Sequence, residues 1–194
     1  HTWFRKLFNE LLGRPVVAAS EAFIRDTADR HIGRLVERGG GEFMAEVAGM
    51  IPVEVISQLL GLPPEISGRL RALSEEAWVD KFGDPAEVPM KMAGLLMGEA
   101  MKRLAEPRDD FLTHLVQAEI EGRPISPDEV VNFLLGASIA GHETTMNAAG
   151  NLCYELAIDA ALQERVRADR SLIAALVEET LRLRAPVQNF FRVV

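Results

Sequence analysis

The segment Ser126–Asp159, S-P-D-E-V-V-N-F-L-L-G-A-S-I-A-G-H-E-T-T-M-N-A-A-G-N-L-C-Y-E-L-A-I-D, determines how the rest of the chain is arranged. It begins with a helix-start signal, in which Ser126 suits the N-cap, Pro127 suits the first helical position and Glu129 completes a capping box. No proline follows until Pro186. The segment therefore predicts one helix of about 30 residues, roughly 45 Å long at a rise of 1.5 Å per residue.

This predicted helix carries no charge from Val130 to Gly141, which indicates burial on nearly all sides. Its glycines, Gly136, Gly141 and Gly150, together cost roughly 3 kcal/mol relative to alanine in a helix interior. Because domains are stable by only about 5–15 kcal/mol, such a loss needs a compensating contact. Two interpretations account for it: a neighbouring helix packs closely on the glycines, or a flat ligand lies against the backbone.

Polar residues interrupt the apolar span directly after Gly141, at positions 142–145. The hydroxyl of Thr144 can donate to the carbonyl of Ala140, which loosens a helix at that point. An acid, Glu143, and a hydroxyl beside small residues favour a ligand contact. Spacing alone does not separate this interpretation from close helix packing with the polar groups lining water.

Composition limits the class of protein. A chain of 194 residues with 48% apolar and 26% charged residues predicts one globular domain. The net charge of −8 argues against a nucleic-acid partner, and no uncharged apolar run approaches the length of a membrane span. A single cysteine cannot form an internal disulfide, which is typical of a reducing, cytoplasmic location.

Apolar periodicity predicts further helices on both sides of the central one. In the stretch from Glu42 to Leu60 we expect an interruption at Pro52, and His31 is expected to be solvated among charged neighbours. A strand is predicted from Val187 to Val194. The helical ranges are 1–13, 16–38, 42–60, 64–80, 85–106, 109–121, 159–169 and 171–184.

Three segments carry a resemblance to a known family. A140-G141-H142-E143-T144-T145 resembles the oxygen-binding segment of the central helix in the cytochrome P-450 superfamily, the haem-thiolate monooxygenases. E179-T180-L181-R182, followed by Pro186 and Arg192, and H1-T2-W3-F4-R5 resemble two further family segments. The resemblance covers essentially all of the chain. It implies a mainly α fold: the helical core of the cytochrome P-450 fold around one long central helix, with a short C-terminal β segment.

The resemblance also assigns site residues. It implies haem b (iron protoporphyrin) as the cofactor, with Thr144 bonding the oxygen and a water, and Glu143 relaying protons from solvent. It implies that Glu179 and Arg182 form a buried pair that anchors the core beside the haem. The residues expected to contact the cofactor are His1, Arg5 and Arg192 at the propionates, and Ala140, Gly141 and Thr144 at the ring and oxygen.

The reaction implied is reductive activation of dioxygen, to hydroxylate or epoxidise a small apolar organic substrate with electrons from a ferredoxin-type donor. The iron ligand should be a cysteine thiolate. Cys153 lies on the central helix and is expected to be a packed core residue, so the ligand is expected beyond Val194. Residues 1–194 would then be a partial domain, inactive by itself, lacking the N-terminal strands and the C-terminal cysteine loop.

Two alternatives compete with this interpretation. H142-E143-T144-T145-M146 nearly matches the zinc-protease pattern H-E-x-x-H, but Met146 stands at the second ligand position, so zinc is discounted. The other alternative is a non-catalytic, all-helical ligand-binding or interaction domain. Haem uptake by a longer chain distinguishes that alternative from a monooxygenase.

Overall fold

The computed structural model describes residues 2–79, 84 and 86–189. Within these ranges the chain forms ten α-helices, one π-helix and a two-stranded antiparallel hairpin. The helices are α1 Thr2–Leu11, α2 Arg14–Ala19, α3 Glu21–Glu37, the π-helix Met44–Ala48, α4 Met50–Leu60, α5 Pro64–Val79, α6 Glu87–Ala105, α7 Phe111–Val116, α8 Pro127–Ile158, α9 Ala160–Ala168 and α10 Leu172–Leu183, and the strands are β1 Glu119–Ile120 and β2 Arg123–Pro124.

Helix α8 confirms the prediction of one long central helix, with 32 residues. The capping box is present: the amide of Glu129 donates to Ser126 Oγ at 3.3 Å, and the amide of Ser126 donates to Glu129 Oε2 at 2.9 Å. Arg123 adds two hydrogen bonds to the same carboxylate, at 2.7 and 2.8 Å. The bonds from Arg123 and from the Ser126 amide lower the pKa of Glu129 to about 2.

The core lies where α1, α4, α6 and α7 pack against the N-terminal half of α8. Its centre is Phe133, which is almost fully buried, with its ring centre 4.5 Å from that of Phe8 and 5.7 Å from that of Phe111. Leu60 of α4 and Leu96 of α6 are completely buried nearby in the same cluster. This packing sets the side of α8 that is covered.

The expectation that α8 is buried on nearly all sides is wrong. Asn132, Gly136, Ile139 and Ala140 are exposed, and their spacing of three and four residues places them on one face. The uncharged sequence from Val130 to Gly141 showed that this part of the helix is apolar, but it did not show which elements cover it. In the described residues, the packed helices cover only the other side.

Two helix boundaries differ from the predictions. The helix predicted over 16–38 is divided at Ser20 into α2 and α3. The interruption in the next stretch lies at Gly49, between the π-helix and α4, and not at Pro52. Pro52 is the third residue of α4, where its missing N–H costs nothing because the first-turn amides have no partner within the helix.

His31 is buried, and the expectation that it is solvated is wrong. It is only 5% exposed, and its Nε2 lies 2.9 Å from Glu54 Oε1 on α4. Arg30 donates to the other oxygen of Glu54 at 2.7 Å. Burial alone would raise the pKa of Glu54, but the hydrogen bonds from Arg30 and His31 outweigh it and lower that pKa. The cluster ties α3 to α4.

The sequence predicted helix where a hairpin occurs. The helix expected over 109–121 ends at Val116, and β1 and β2 follow, joined by Glu121 and Gly122 with φ of 51° and 81°. Two successive positive φ values match the twist of a tight hairpin. Of the predicted strand from 187 to 194, residues 187–189 are not strand, and residues 190–194 lie outside the described residues.

Candidate functional site

The polar segment of α8 has the predicted internal bond. Thr144 Oγ1 donates to the carbonyl of Ala140 at 2.8 Å. Both Glu143 and Thr144 are half-buried, whereas Ala140 is exposed. The exposed residues Asn132, Gly136, Ile139 and Ala140 form the open face of α8. The hydroxyl of Thr144 and the carboxylate of Glu143 therefore lie at the margin of this open face, beside small residues.

Close helix packing accounts for two of the three glycines. A Cβ on Gly141 would lie 3.0–3.3 Å from the side chain of Ile56 on α4. A Cβ on Gly150 would lie 2.5 Å from Met44 Sδ in the π-helix. Gly136 has nothing within 4 Å of such an atom, so helix packing does not explain it. The packing interpretation therefore holds at the back of α8 but leaves the open face unexplained.

An apolar hollow of about 410 Å³ lies beside Gly141. It is enclosed by side chains from four helices, so Ala140 and Gly141 share a concavity with α1, α3 and α4. The residues that shape it include Phe8, Leu12, Ile24, Ile56, Ala140 and Gly141. Thr145 is the polar side chain in its lining, and a concave, mostly apolar surface with few polar groups is the usual form of a ligand site.

Arg5 is an exposed cation on α1, three residues before Phe8 and therefore on the same side of that helix. Among the described residues it has no hydrogen-bond or ion-pair partner, so its guanidinium is available to a carboxylate. His1 and Arg192, which are expected at the propionates together with Arg5, lie outside the described residues. The structure therefore locates one of the three expected cations.

The side chain of His142 points away from the open face of α8. It is 6% exposed, and its Nε2 lies 3.1 Å from the carbonyl of Gly49 at the start of α4. A carbonyl can only accept, so Nε2 carries the proton and is committed to helix packing. Among residues 2–79, 84 and 86–189, no group of three or more histidine, cysteine, aspartate or glutamate side chains is arranged to hold a metal ion.

Glu179 and Arg182 form the expected pair on α10, through two bonds of 2.7 and 2.8 Å. These hydrogen bonds lower the pKa of Glu179. The burial that the resemblance implies is wrong for this chain, because the side chains are 53% and 67% exposed, respectively. The sequence could not give this result, since burial depends on what packs over α10.

Cys153 is half-buried on α8, and burial raises the pKa of its thiol. A raised pKa disfavours the thiolate, which is the form that binds a metal. The environment of Cys153 therefore works against iron ligation.

Sequence reasoning missed a polar stripe on the C-terminal half of α8. Asn151 Nδ2 donates to the carbonyl of Arg184 at 2.9 Å, and Glu155 forms an ion pair with the side chain of Arg184. The signal in the sequence is the four-residue spacing of Asn147, Asn151 and Glu155, which places the three on one face.

None of the helices in the described ranges combines the length and apolarity needed to cross a membrane.

Known proteins share this arrangement of helices. No protein-family model matches the sequence. Over its full length, however, the chain is 31% identical to cyclomarin C epoxidase CymV of Salinispora arenicola, 51% of which it covers. The ligand-free structure of cytochrome P-450 TbtJ1 matches with a TM-score of 0.79 and 35% identity, over 93% of this chain and 50% of that one. The chain belongs to the cytochrome P-450 superfamily.

A second cytochrome P-450 structure, of the post-tailoring hydroxylase HmtN involved in himastatin biosynthesis, matches with a TM-score of 0.81 and 31% identity. The match covers 92% of this chain and 47% of that one. The chain spans about half the length of the curated relatives it matches. These relationships confirm the predicted fold class, the helical core of the cytochrome P-450 fold.

The residues present fit part of the haem group that this family implies. The open face of α8 has no side chain at Gly136 and only a methyl group at Ala140, so a flat ring could approach the backbone there. Arg5, which is unpaired among the residues that the structure describes, offers a cation to a propionate. Cys153 does not fit the role of the iron ligand, because burial raises the pKa of its thiol and so disfavours the thiolate.

Proposed function

We propose that the full-length protein is a haem-dependent monooxygenase that hydroxylates or epoxidises a small apolar organic substrate in the cytoplasm. The observation that carries this proposal is the match along the whole chain to a cytochrome P-450 named as an epoxidase. Its partners are the substrate, dioxygen and a ferredoxin-type electron donor. The 194-residue chain supplies the central helix of the site and the residues proposed to bind the propionates.

Haem b, when bound, supplies the iron at which dioxygen is reduced and one oxygen atom is transferred. Gly136 and Ala140 leave room for the ring and its gaseous ligand along the backbone of α8, whereas the space beside Gly141, also expected at the ring, is occupied by Ile56. Arg5, with His1 and Arg192, holds the propionates, because a guanidinium binds a carboxylate through charge-assisted bonds that are roughly twice as strong as neutral ones. The thiolate comes from a residue outside this chain.

Thr144 holds a water molecule in position. Its single hydroxyl proton is donated to Ala140, so both lone pairs of Oγ1 are free to accept a hydrogen bond from water. The bond to Ala140 also fixes the rotamer of the side chain. Thr144 therefore orients a proton donor beside the place where oxygen binds.

Glu143 moves protons between solvent and that water. Its side chain is half-buried and has no hydrogen-bond or ion-pair partner in the described part of the chain. A carboxylate in this position can take a proton from bulk water and pass it inward as a general acid.

Replacing Thr144 tests these roles in the full-length protein. With Thr144→Ala we expect electrons to be diverted to hydrogen peroxide, because the positioned water is lost. The assay uses styrene as the probe substrate, with a surrogate ferredoxin and its reductase. The measured quantities are the styrene oxide and the hydrogen peroxide formed per reductant oxidised. Thr144→Ser is the matched control and should retain most of the coupling. Unchanged coupling in Thr144→Ala would refute the assigned role.

A further inference from the structure

The chain that follows α10 is fastened to α8 by two asparagine amides. Asn151 Nδ2 donates to the carbonyl of Arg184 at 2.9 Å. Asn147 Nδ2 donates to the carbonyl of Pro186 at 3.4 Å. Because α10 ends at Leu183, the carbonyls beyond it have no partner within the helix, and these amides supply one.

A third contact secures the same point. The side chain of Arg184 forms an ion pair with Glu155, and its guanidinium carbon lies 4.7 Å from the ring centre of Tyr154. Asn147, Asn151 and Glu155 are four residues apart, so they form one stripe along α8. The backbone and the side chain of Arg184 are thus held by neighbouring positions of that stripe.

The spacing of the two amide bonds fixes the register of the chain. Carbonyls two residues apart in an extended chain are separated by about 6.5 Å, and four residues of α-helix rise about 6 Å. Ala185 precedes a proline, which favours the extended conformation. Both bonds can therefore form together, and a slip of one residue would break both.

The stripe continues to the candidate site. Thr144 lies three residues before Asn147, so it is one turn further along the same face of α8. The chain runs from Arg184 at Asn151 to Pro186 at Asn147, and thus towards Thr144. Arg192, expected at a propionate, follows Pro186 by six residues and lies outside the described residues.

We propose that Asn147 and Asn151 are positioning residues for the haem site. The inference rests on the proposed monooxygenase function and adds residues that touch neither oxygen nor substrate. They hold the carbonyls of Arg184 and Pro186 in a single register against the part of α8 that directly follows Thr144. Because an amide is neutral, it fixes this geometry without adding a charge beside the site.

Isosteric replacement in the full-length holoprotein tests the proposal. An ionised aspartate is the same size as asparagine but cannot donate to a carbonyl. For Asn151→Asp we expect haem transfer to apomyoglobin to be about fivefold faster, the factor for one lost net hydrogen bond. The Kd for 4-phenylimidazole, which reports the distal side of the iron, should rise by a similar factor. Asn147→Asp should act in the same direction but less, because its bond is longer.

Gln117→Glu is the matched control, because it exchanges an amide for a carboxylate away from α8. Gln117 is exposed at the end of α7, and its side-chain amide has no partner among the described residues. A fall in melting temperature for Asn147→Asp and Asn151→Asp, with unchanged haem transfer and unchanged Kd, would show a merely structural role and overturn the proposal. Equal effects in Gln117→Glu would also overturn it. A wild-type protein without a thiolate-ligated haem spectrum would instead refute the proposed function itself.

Discussion

The glycines of α8 differ in what a side chain at each position would contact. At Gly141 the obstacle is the β-branched side chain of Ile56, with its Cβ 3.3 Å away, whereas at Gly150 it is the flexible end of Met44. A flexible thioether can move aside, but a branched carbon near the backbone cannot do so without moving α4. The two positions should therefore respond differently to substitution.

We expect Gly141→Val to destabilise the full-length protein by about 1–3 kcal/mol, the usual cost of overpacking. Gly150→Ala should leave stability within about 1 kcal/mol of wild type, since the gain in helix propensity offsets the displacement of Met44. Urea denaturation provides both values. A Gly141→Val protein as stable as Gly150→Ala would contradict the packing described for α4 and α8.

Arg103 joins three elements from a buried position. It is 3% exposed, donates through Nε to Asp110 at 2.7 Å, and donates through a terminal nitrogen to the carbonyl of Gly61 at 2.8 Å. Burial alone would raise the pKa of Asp110, but bonds from the Thr113 amide and from Arg103 lower it. The end of α6, the start of α7 and the end of α4 therefore meet at one guanidinium.

Removing this guanidinium should cost about 3–5 kcal/mol, because the carboxylate is left without its charged partner. The variant is Arg103→Leu in the full-length protein, measured by urea denaturation. Arg25→Leu is the comparison, since Arg25 forms an exposed pair with Glu21 on α3 and its loss should change little. A similar, small effect in both variants would show that the buried pair has no special importance.

Among the elements, α8 was the one most fully predictable. Its start was predictable because a capping box is local chemistry, and its length because no breaker interrupts it. Its coverage was not predictable, because Asn132 and Ala140 are exposed for want of a neighbour and not because of their own polarity. The same distinction explains His31, which charged sequence neighbours suggested to be solvated but which Glu54 of another helix buries.

The start of α8 should weaken in acid. Because the folded state holds the pKa of Glu129 near 2, below its ordinary value of 4.5, stabilisation is complete above about pH 4.5 and is lost as the pH falls towards 2. The difference in melting temperature between wild type and Glu129→Gln should therefore be constant near pH 7 and shrink below about pH 4.5. Glu119→Gln is the control; a pH-independent difference for Glu129→Gln would contradict the assignment.

For the molecule as a whole, three short segments were enough to predict the family. They did not predict which faces of the helices would be left uncovered in this chain. The apolar residues Ile173, Val177 and Leu181 of α10 remain exposed, as does the pair of Glu179 and Arg182. Four-residue spacing shows that such residues share a face, but the cover for that face is not among the described residues. Burial predicted from the resemblance therefore failed where the fold prediction succeeded.

We propose that the open face of α8 at Ala140 and Thr144 borders a haem whose thiolate comes from outside this chain. The most direct test is the carbon-monoxide difference spectrum of the reduced full-length protein beside that of the 194-residue chain, both supplied with haem. We expect a thiolate-type band from the full-length protein and none from the 194-residue chain, since its cysteine, Cys153, lies within α8 where burial raises the pKa of the thiol. The absence of that band from the full-length protein, or its presence in the shorter chain, would contradict the claim.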